Sequence, residues 1–313
     1  MKISKSSNRI SIIGAGNVGA MLAQRILEHD LSNIVLVDID EGAAKGKASD
    51  LQDAAPIIGY EKEIIGTSDY SLIKNSDIVV ITAGFPRKPG MTREDLIKIN
   101  GSIIKDVTLQ IKEHAPESII IVVTNPLDIM GYIAYKVSGF DSNKVIGMAG
   151  VLDSARCSNL AAQELGVRIT EIDSIVIGTH DTNMLPLLRF SKAQGRIIYS
   201  ILEEERRKKL IENVRGRGAK IVSLLKTGSA FFAPSAACFS MVKSILKNEN
   251  ITQCASVLHK GTYGINGIFI GAPVVLDRTG IKEIIQLDLS PDESEELKMS
   301  AEQLKKTIDS LNI

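Results

Sequence analysis

A glycine-rich segment near the start of the chain has the residue types and spacing of a phosphate-binding turn. Gly14-Ala15-Gly16-Asn17-Val18-Gly19 matches the pattern G-x-G-x-x-G, which by itself any glycine-rich turn can satisfy. Here it closes an apolar run and opens a helix-length segment, where backbone amides bind phosphates. Gly14 would permit the tight turn, Gly16 the approach of the backbone to a pyrophosphate, and Gly19 close packing of helix and strand. The alternative is a glycine turn with a structural role only.

Asp38 ends the next apolar run, IVLVDI, and is the second residue that indicates a dinucleotide site. A carboxylate at the end of that strand can accept hydrogen bonds from both ribose hydroxyls of adenosine, and it would repel a 2′-phosphate. The sequence therefore favours NAD over NADP. The alternative is an ordinary aspartate at a strand end.

Four residues of the central part of the chain could perform acid–base chemistry or bind an anion. Asp153 and Arg156 are three apart on a predicted helix and share a face, although an intrahelical ion pair has the same spacing. His180 ends the apolar run DSIVIGTH, where an isolated histidine is commonly structural. Asn125 ends the run SIIIVVTN before a proline and could simply cap a strand.

The segment Gly84–Arg93 contains three cations, Arg87, Lys88 and Arg93, among two prolines and two glycines. This composition predicts a loop, and Thr92 followed by Asp95 predicts the start of a helix. The loop follows a predicted strand, at the end of the sheet where folds of this class bind ligands. A solvated charged loop is the alternative.

The first half alternates apolar, β-branched runs with helix-length segments, which predicts an α/β fold with a doubly wound parallel (Rossmann) sheet. The predicted strands are Arg9–Gly14, Asn33–Ile39, Glu63–Thr67, Asp77–Gly84, Ser118–Asn125 and Lys144–Met148. Helices are predicted at Asn17–His29, Gly42–Ala55 and Thr92–His114.

After Val151 the pattern changes to that of an α+β domain. We therefore predict two domains, with residues 1–150 binding the dinucleotide and residues 151–313 forming an α+β catalytic and substrate domain. Helices are predicted at Leu152–Leu165, Glu203–Lys226 and Ser235–Lys247 and in the final segment ESEELKMSAEQLKKTIDSL, and strands in EIDSIVIGTH, SVLHK and GIFIGAPVVL.

Composition and charge argue against several classes of function. Lys+Arg and Asp+Glu both number 37, so no net charge attracts nucleic acid or an anionic membrane, and an anionic ligand must be bound by locally placed cations. Three widely separated cysteines have neither metal-ligand spacing nor a disulfide pattern, so no metal is expected. Without a signal-peptide pattern or a membrane-spanning apolar run, a cytoplasmic protein is expected.

Taken together, the motifs resemble the lactate/malate dehydrogenase family over essentially the whole chain. GAGNVG, VDID, TAGFPRKPGMTR, VVTNPLD, GMAGVLDSAR and LLKTGSAFFAP occur in the order and spacing of that family. Within the family the chain looks most similar to the malate dehydrogenases built on the lactate dehydrogenase-like subfold. The resemblance implies an NAD-dependent, reversible oxidation of (S)-malate to oxaloacetate.

The resemblance also implies roles for individual residues. His180 is expected to accept the hydroxyl proton, and Asp153 to orient its imidazole. Arg156 is expected to bind the C1 carboxylate through two parallel N–H bonds, and Arg93 to polarise the C2 oxygen. The other contacts that the family implies are Asn125, with the substrate oxygen and the nicotinamide ribose, Ser229, beside the substrate, and Asn100, Val123 and Thr124, with the cofactor.

Arg87 is the residue expected to determine substrate specificity. The family has arginine at this position in malate enzymes and usually glutamine in lactate enzymes. A second substrate carboxylate in a closed site needs its own cation, because an unpaired buried charge costs about 3–5 kcal/mol. A small dicarboxylate is therefore the expected substrate, and the loop is expected to close over it as a lid, with Gly84 and Gly90 as candidate hinges.

The chain departs from the family directly after the histidine, where family members usually have Gly-Asp and this chain has Asp181-Thr182. A carboxylate beside His180 could favour its protonated form, and loss of the glycine restricts the backbone. This departure leaves open a catalytically impaired NAD-binding regulator. A second alternative is a dehydrogenase of lactate or of another 2-hydroxy acid; Arg87 counts against lactate but does not exclude larger acids. The family also implies a homotetramer or homodimer.

Overall fold

The computed structural model describes residues 8–86 and 91–311, which form two compact units. Unit 1 consists of the described residues of Met1–Gly147 together with Phe231–Ile251 and Leu276–Lys282. Unit 2 consists of Met148–Ala230, Thr252–Val275 and the described residues of Glu283–Ile313. The dinucleotide motif and the parallel strands that follow it are thus in unit 1, and the segments carrying His180 and Asp153 are in unit 2.

The helices and strands follow the order expected from the sequence. The α-helices of the described residues are α1 (Asn17–Glu28), α2 (Glu41–Ile58), α3 (Arg93–His114), α4 (Leu127–Ser138), α5 (Gly150–Leu165), α6 (Ile198–Ile201), α7 (Glu204–Leu225), α8 (Phe232–Leu246) and α9 (Pro291–Asp309). The strands are β1 (Arg9–Ile13), β2 (Asn33–Val37), β3 (Ile64–Thr67), β4 (Ile78–Ile81), β5 (Ile119–Val122), β6 (Val145–Gly147), β7 (Ile172–Asp173), β8 (Val176–Ile177), β9 (Leu185–Pro186), β10 (Lys192–Ala193), β11 (Arg196–Ile197), β12 (Ile251–Lys260), β13 (Asn266–Asp277) and β14 (Gly280–Ile284).

Unit 1 contains the predicted doubly wound sheet. Its strands lie in the order β6-β5-β4-β1-β2-β3, and every pair of neighbours among them is parallel. Strands β2, β4 and β5 are buried along their whole length, as expected for apolar runs covered on both faces. The order reverses at β1, so the carboxyl ends of β1 and β4 border the point where such folds bind ligands.

Unit 2 has a separate core between α5, α7 and short strands. Cys157 and Ala161 of α5 and Leu210 and Val214 of α7 are buried in it together with Leu188. Its short strands form two small antiparallel sheets, and the longer β12 and β13, which belong to neither of these, are neighbouring strands. This is the predicted α+β pattern.

The apolar run EIDSIVIGTH differs from the single strand that its sequence predicts. Residues Ile172–Asp173 pair with β10, whereas Val176–Ile177 pair with β9, so the run divides into two strands that belong to different sheets. Gly178 then has a φ of +86°, which ends the second strand before His180. The single-strand prediction was wrong because periodicity does not reveal a change of partner.

A glycine contact between α2 and β3 provides a test of the fold. A Cβ at Gly66 would lie 2.1 Å from the backbone oxygen of Ala44, so Gly66→Ala must push α2 away from the sheet and should destabilise the protein by roughly 1–3 kcal/mol. Gly46 of α2 has no atom within 4 Å of a built Cβ, so Gly46→Ala should stabilise the helix by about 0.5–1 kcal/mol. Denaturant unfolding measures both changes, and a Gly66→Ala variant as stable as the wild type would contradict this packing.

Candidate active site

Two close approaches of the backbone require glycine in the turn of unit 1. Gly14 follows β1 with a φ of +108°, and a Cβ there would lie 2.7 Å from the backbone nitrogen of Ala83. A Cβ at Gly19 would lie 2.0 Å from the backbone oxygen of Gly14. Both positions therefore exclude a side chain. The segment forms the predicted tight turn with close packing of helix and strand.

The space beside Gly16 fits a dinucleotide phosphate. A Cβ built at Gly16 has no atom within 4 Å, so the backbone is open on that side. Gly16 is the N-cap of α1 and supplies no side-chain cap to the amides at the start of the helix. Unbonded helix N-terminal amides, together with the helix dipole, bind anions. The three predicted glycine roles thus fit a pyrophosphate at this turn.

Asp38 lies directly after β2 and contacts the same turn. Its Oδ2 accepts a hydrogen bond of 2.6 Å from the Ala15 amide, and its Oδ1 accepts one of 3.0 Å from the Asp40 amide. The residue is partly exposed, so its carboxylate can also receive the ribose hydroxyls of a bound nucleotide. A carboxylate acceptor at this position fits NAD, whose adenosine ribose carries no 2′-phosphate.

Asn100 and Thr124 connect the ends of strands β4 and β5. The Asn100 side chain donates to the carbonyl of Asn125 at 2.7 Å and to that of Phe85 at 3.2 Å, and it accepts from the Phe85 amide at 2.7 Å. Thr124 Oγ1 donates to the carbonyl of Ala83 at 2.6 Å. Asn100 is only 1% exposed, so what the structure shows is a structural link. Cofactor contacts of Asn100, Val123, Thr124 and Asn125 stay predictions.

Of the two arginines expected in the loop segment, one lies within the described residues. Arg93 is the first residue of α3 and is exposed. The predicted helix start is confirmed, because Thr92 Oγ1 accepts from the Asp95 amide at 3.0 Å and Asp95 Oδ2 accepts from the Thr92 amide at 3.1 Å. The Thr92 hydroxyl, which donates to Asp95 Oδ2 at 2.7 Å, and the Thr92 amide hold the pKa of Asp95 below its usual range. Arg87 and the candidate hinge Gly90 lie outside the described residues.

In unit 2, Asp153 and His180 form a close pair. Asp153 is in the first turn of α5 and His180 follows β8, and the distance from His180 Nδ1 to Asp153 Oδ2 is 2.6 Å. The side chains of His180 and Asp153 are 11% and 3% exposed, so the hydrogen bond is shielded from water. A histidine that donates its Nδ1 proton to a carboxylate can accept a proton at Nε2, which is the arrangement that general-base catalysis requires.

Arg156 lies on the same side of α5 as Asp153 and retains hydrogen-bonding capacity. One terminal guanidinium nitrogen is 3.4 Å from Asp153 Oδ1, so the intrahelical ion pair exists but is long. The buried Nε has no hydrogen-bond partner among the described residues, although a buried donor normally has one. An incoming carboxylate would satisfy it. The geometry therefore fits the predicted anion-binding role.

The backbone after His180 accommodates the departure from the family without strain. Asp181 is not among the described residues with positive φ, so glycine is not needed there. Its Oδ1 accepts hydrogen bonds of 2.8 Å from Thr179 Oγ1 and of 2.8 Å from the Asn183 amide. The carboxylate thus stabilises the turn that contains His180.

Ser229 and Thr82 differ in what the structure shows of them. Ser229 is exposed in the segment between α7 and α8, and its expected place beside the substrate stays a prediction. Thr82, which the sequence reasoning missed, donates from Oγ1 to the carbonyl of Gly14 at 2.9 Å. A threonine directly after the buried run IVVI was the available signal, because it follows the strand next to β1.

A phosphate-binding turn and a histidine paired with a carboxylate fit an enzyme that binds a dinucleotide and transfers a proton. Comparison with family models matches residues 8–147 to the lactate/malate dehydrogenase NAD-binding domain and residues 150–312 to the α/β C-terminal domain of that family. The chain belongs to the lactate/malate dehydrogenase family, and NAD is its cofactor.

Similar proteins cover nearly the whole chain. A malate dehydrogenase of Methanosarcina barkeri is 48% identical over 97% of this chain and 99% of that protein. The crystal structure of Cryptosporidium parvum malate dehydrogenase has a TM-score of 0.94 at 37% identity, covering 97% of this chain and 98% of that one. A lactate dehydrogenase of the same organism, complexed with lactic acid and NAD, has a TM-score of 0.94 at 34% identity, covering 98% and 100%.

The hydrogen bonds of Asp181 can be separated from its charge by two substitutions. Asp181→Asn keeps an oxygen acceptor for Thr179 and the Asn183 amide but removes the negative charge near His180. Because the turn keeps this acceptor, we expect kcat and kcat/KM of Asp181→Asn to stay within about twofold of the wild type.

Asp181→Gly removes the acceptor as well, so the turn loses both hydrogen bonds. We expect a further fall in kcat of roughly tenfold, because a displaced base reacts more slowly. Steady-state pH profiles of the two variants measure these effects. A kcat of Asp181→Gly equal to that of the wild type would contradict the role of Asp181 in holding the turn.

Proposed function

We propose that this protein catalyses the reversible, NAD-dependent oxidation of (S)-malate to oxaloacetate, a step of the tricarboxylic acid cycle. The 48% identity to a malate dehydrogenase over 97% of the chain is the observation that carries the choice of substrate. The pairing of His180 with Asp153 supports the reaction class. Cofactor binding is assigned to residues 1–150 and acid–base chemistry to residues 151–313.

In this proposal each side chain acts on one atom of malate. NAD, when bound, supplies the acceptor for the hydride that leaves C2. His180 takes the proton of the C2 hydroxyl, and Asp153 stabilises the imidazolium that forms. Arg156 binds the C1 carboxylate, which satisfies its buried Nε. In the reverse direction His180 returns the proton to the C2 oxygen of oxaloacetate.

The substrate contacts of the other side chains rest on the resemblance to the family. Arg93 stabilises charge on the C2 oxygen, and Arg87 binds the C4 carboxylate. Asn125 and Ser229 contact the substrate region. Direct cofactor contacts are assigned to the turn Gly14–Gly19, to Asp38, and to Asn100, Val123, Thr124 and Asn125.

Turnover of two keto acids tests the substrate. Wild-type protein should oxidise NADH with oxaloacetate at a much higher kcat/KM than with pyruvate. In Arg87→Gln that preference should fall by ~10²–10³, since an unpaired C4 carboxylate costs about 3–5 kcal/mol. Lys88→Gln, with the same charge change one residue away, is the matched control and should keep the preference. His180→Asn should bind NADH but lose turnover.

Two outcomes would contradict the proposal. A wild-type preference for pyruvate would replace the dicarboxylate by a monocarboxylate substrate. Binding of NADH without turnover of either keto acid would indicate an NAD-binding protein that has lost this reaction.

We also propose a cytoplasmic homo-oligomer, a dimer or tetramer. Cys157, Cys238 and Cys254 are free and buried, which fits a reducing compartment. In unit 1, Ile57 and Ile58 at the end of α2 are 85% and 54% exposed, an apolar pair that a second copy of the chain would cover. No helix of the described residues is long and apolar enough to cross a membrane.

Sedimentation velocity tests the oligomeric state. The wild type should sediment as a dimer or tetramer at micromolar concentration, and Ile57→Lys should shift the distribution towards smaller species because it places a charge in an apolar contact. Met299→Lys is the control, since Met299 of α9 is also exposed, at 54%. A monomeric wild type would overturn this proposal.

A further inference from the structure

The backbone N–H and C=O of Ala15, in the middle of the phosphate-binding turn, are each hydrogen-bonded to a charged side chain, and the two side chains have opposite charge. The amide donates to Asp38 Oδ2 at 2.6 Å, and the carbonyl oxygen accepts from the Nζ of Lys47 on α2. Ala15 itself is 2% exposed, so water does not replace these partners. Neither the motif G-x-G-x-x-G nor the spacing of Asp38 pointed to Lys47.

These two hydrogen bonds act where the backbone is otherwise least restricted. Ala15 is flanked by Gly14, whose φ is +108°, and by Gly16, whose Cβ side is open. The peptide groups on either side of the Ala15 Cα each include a glycine, so both can rotate at little steric cost. Fixing both the N–H and the C=O of Ala15 therefore selects one orientation of the turn, and with it the direction of the amides at the start of α1.

We propose that Lys47 is a positioning residue of the cofactor site. It holds the Ala15 carbonyl, keeps the following amides directed towards the pyrophosphate, and places a positive charge one hydrogen bond from the turn that binds this anion. Hydrogen bonds with a charged partner are stronger than neutral ones, so the loss of Lys47 should weaken cofactor binding. The inference rests on the proposed function only for its NAD site, and NADH binding can be measured without any keto acid.

The same helix supplies a matched control. Lys45 is two residues earlier on α2, and its Nζ pairs with Glu41 Oε1 at 3.0 Å. Its side chain is 60% exposed, and exposed pairs of this kind contribute little. Lys45→Met and Lys47→Met make the same change of charge and length, but only the second removes the hydrogen bond to Ala15.

Fluorescence titration with NADH is the primary experiment, with steady-state kinetics and thermal unfolding on the same variants. In Lys47→Met we expect the Kd and the KM for NADH to rise about tenfold, with kcat at saturating NADH within about twofold of the wild type. Lys47→Arg, which can still donate to the carbonyl, should recover most of the affinity. Lys45→Met should bind NADH like the wild type.

Several results would overturn the proposal. An unchanged Kd in Lys47→Met, with or without a lower Tm, would leave Lys47 a structural residue only. A larger loss for NADPH than for NADH would mean that the ammonium group contacts a 2′-phosphate instead of positioning the turn. Failure of oxaloacetate turnover in every protein, with the Kd for NADH still raised in Lys47→Met, would count against the proposed reaction and leave the role of Lys47 intact.

Discussion

The buried carboxylate of Asp153 is the constraint on which the candidate catalytic residues depend. Its side chain is 3% exposed, and an anion removed from water to that extent is costly unless it is paired and hydrogen-bonded. His180 and Arg156 provide the two partners, at 2.6 Å and 3.4 Å. The Asp153 carboxylate thus fixes both the orientation of the His180 imidazole and the position of the Arg156 guanidinium. The longer contact, that of Arg156, leaves guanidinium N–H donors for a ligand.

Unit 1 achieves binding by a different physical route. With equal numbers of cationic and anionic side chains, the chain has no overall attraction for a dinucleotide, so binding must come from local geometry. Close contacts at Gly14 and Gly19 fix the turn by steric exclusion, and the open side of Gly16 leaves the backbone amides accessible. The phosphate-binding part of the site is therefore formed mainly by the placement of the backbone.

The sequence predicted those features that depend on residues close together in the chain. The glycine turn, the carboxylate after β2, the capping box of α3 and the shared face of Asp153 and Arg156 all follow from short spacings. The His180–Asp153 contact joins residues far apart in sequence, so only the resemblance to a family implied it. Lys47 was missed because its sequence context resembles that of Lys45, and only the tertiary structure separates a lysine that contacts Ala15 from one that pairs on the helix surface.

Asp181 shows why a departure from a family motif need not indicate loss of function. A glycine is irreplaceable where φ is positive or where a Cβ would clash, and neither condition is found at Asp181. The substituted side chain accepts two hydrogen bonds that glycine could not accept, so it restricts the turn beside His180 more than the usual residue would. Since general-base catalysis depends on the position of the base, a more restricted turn is compatible with activity.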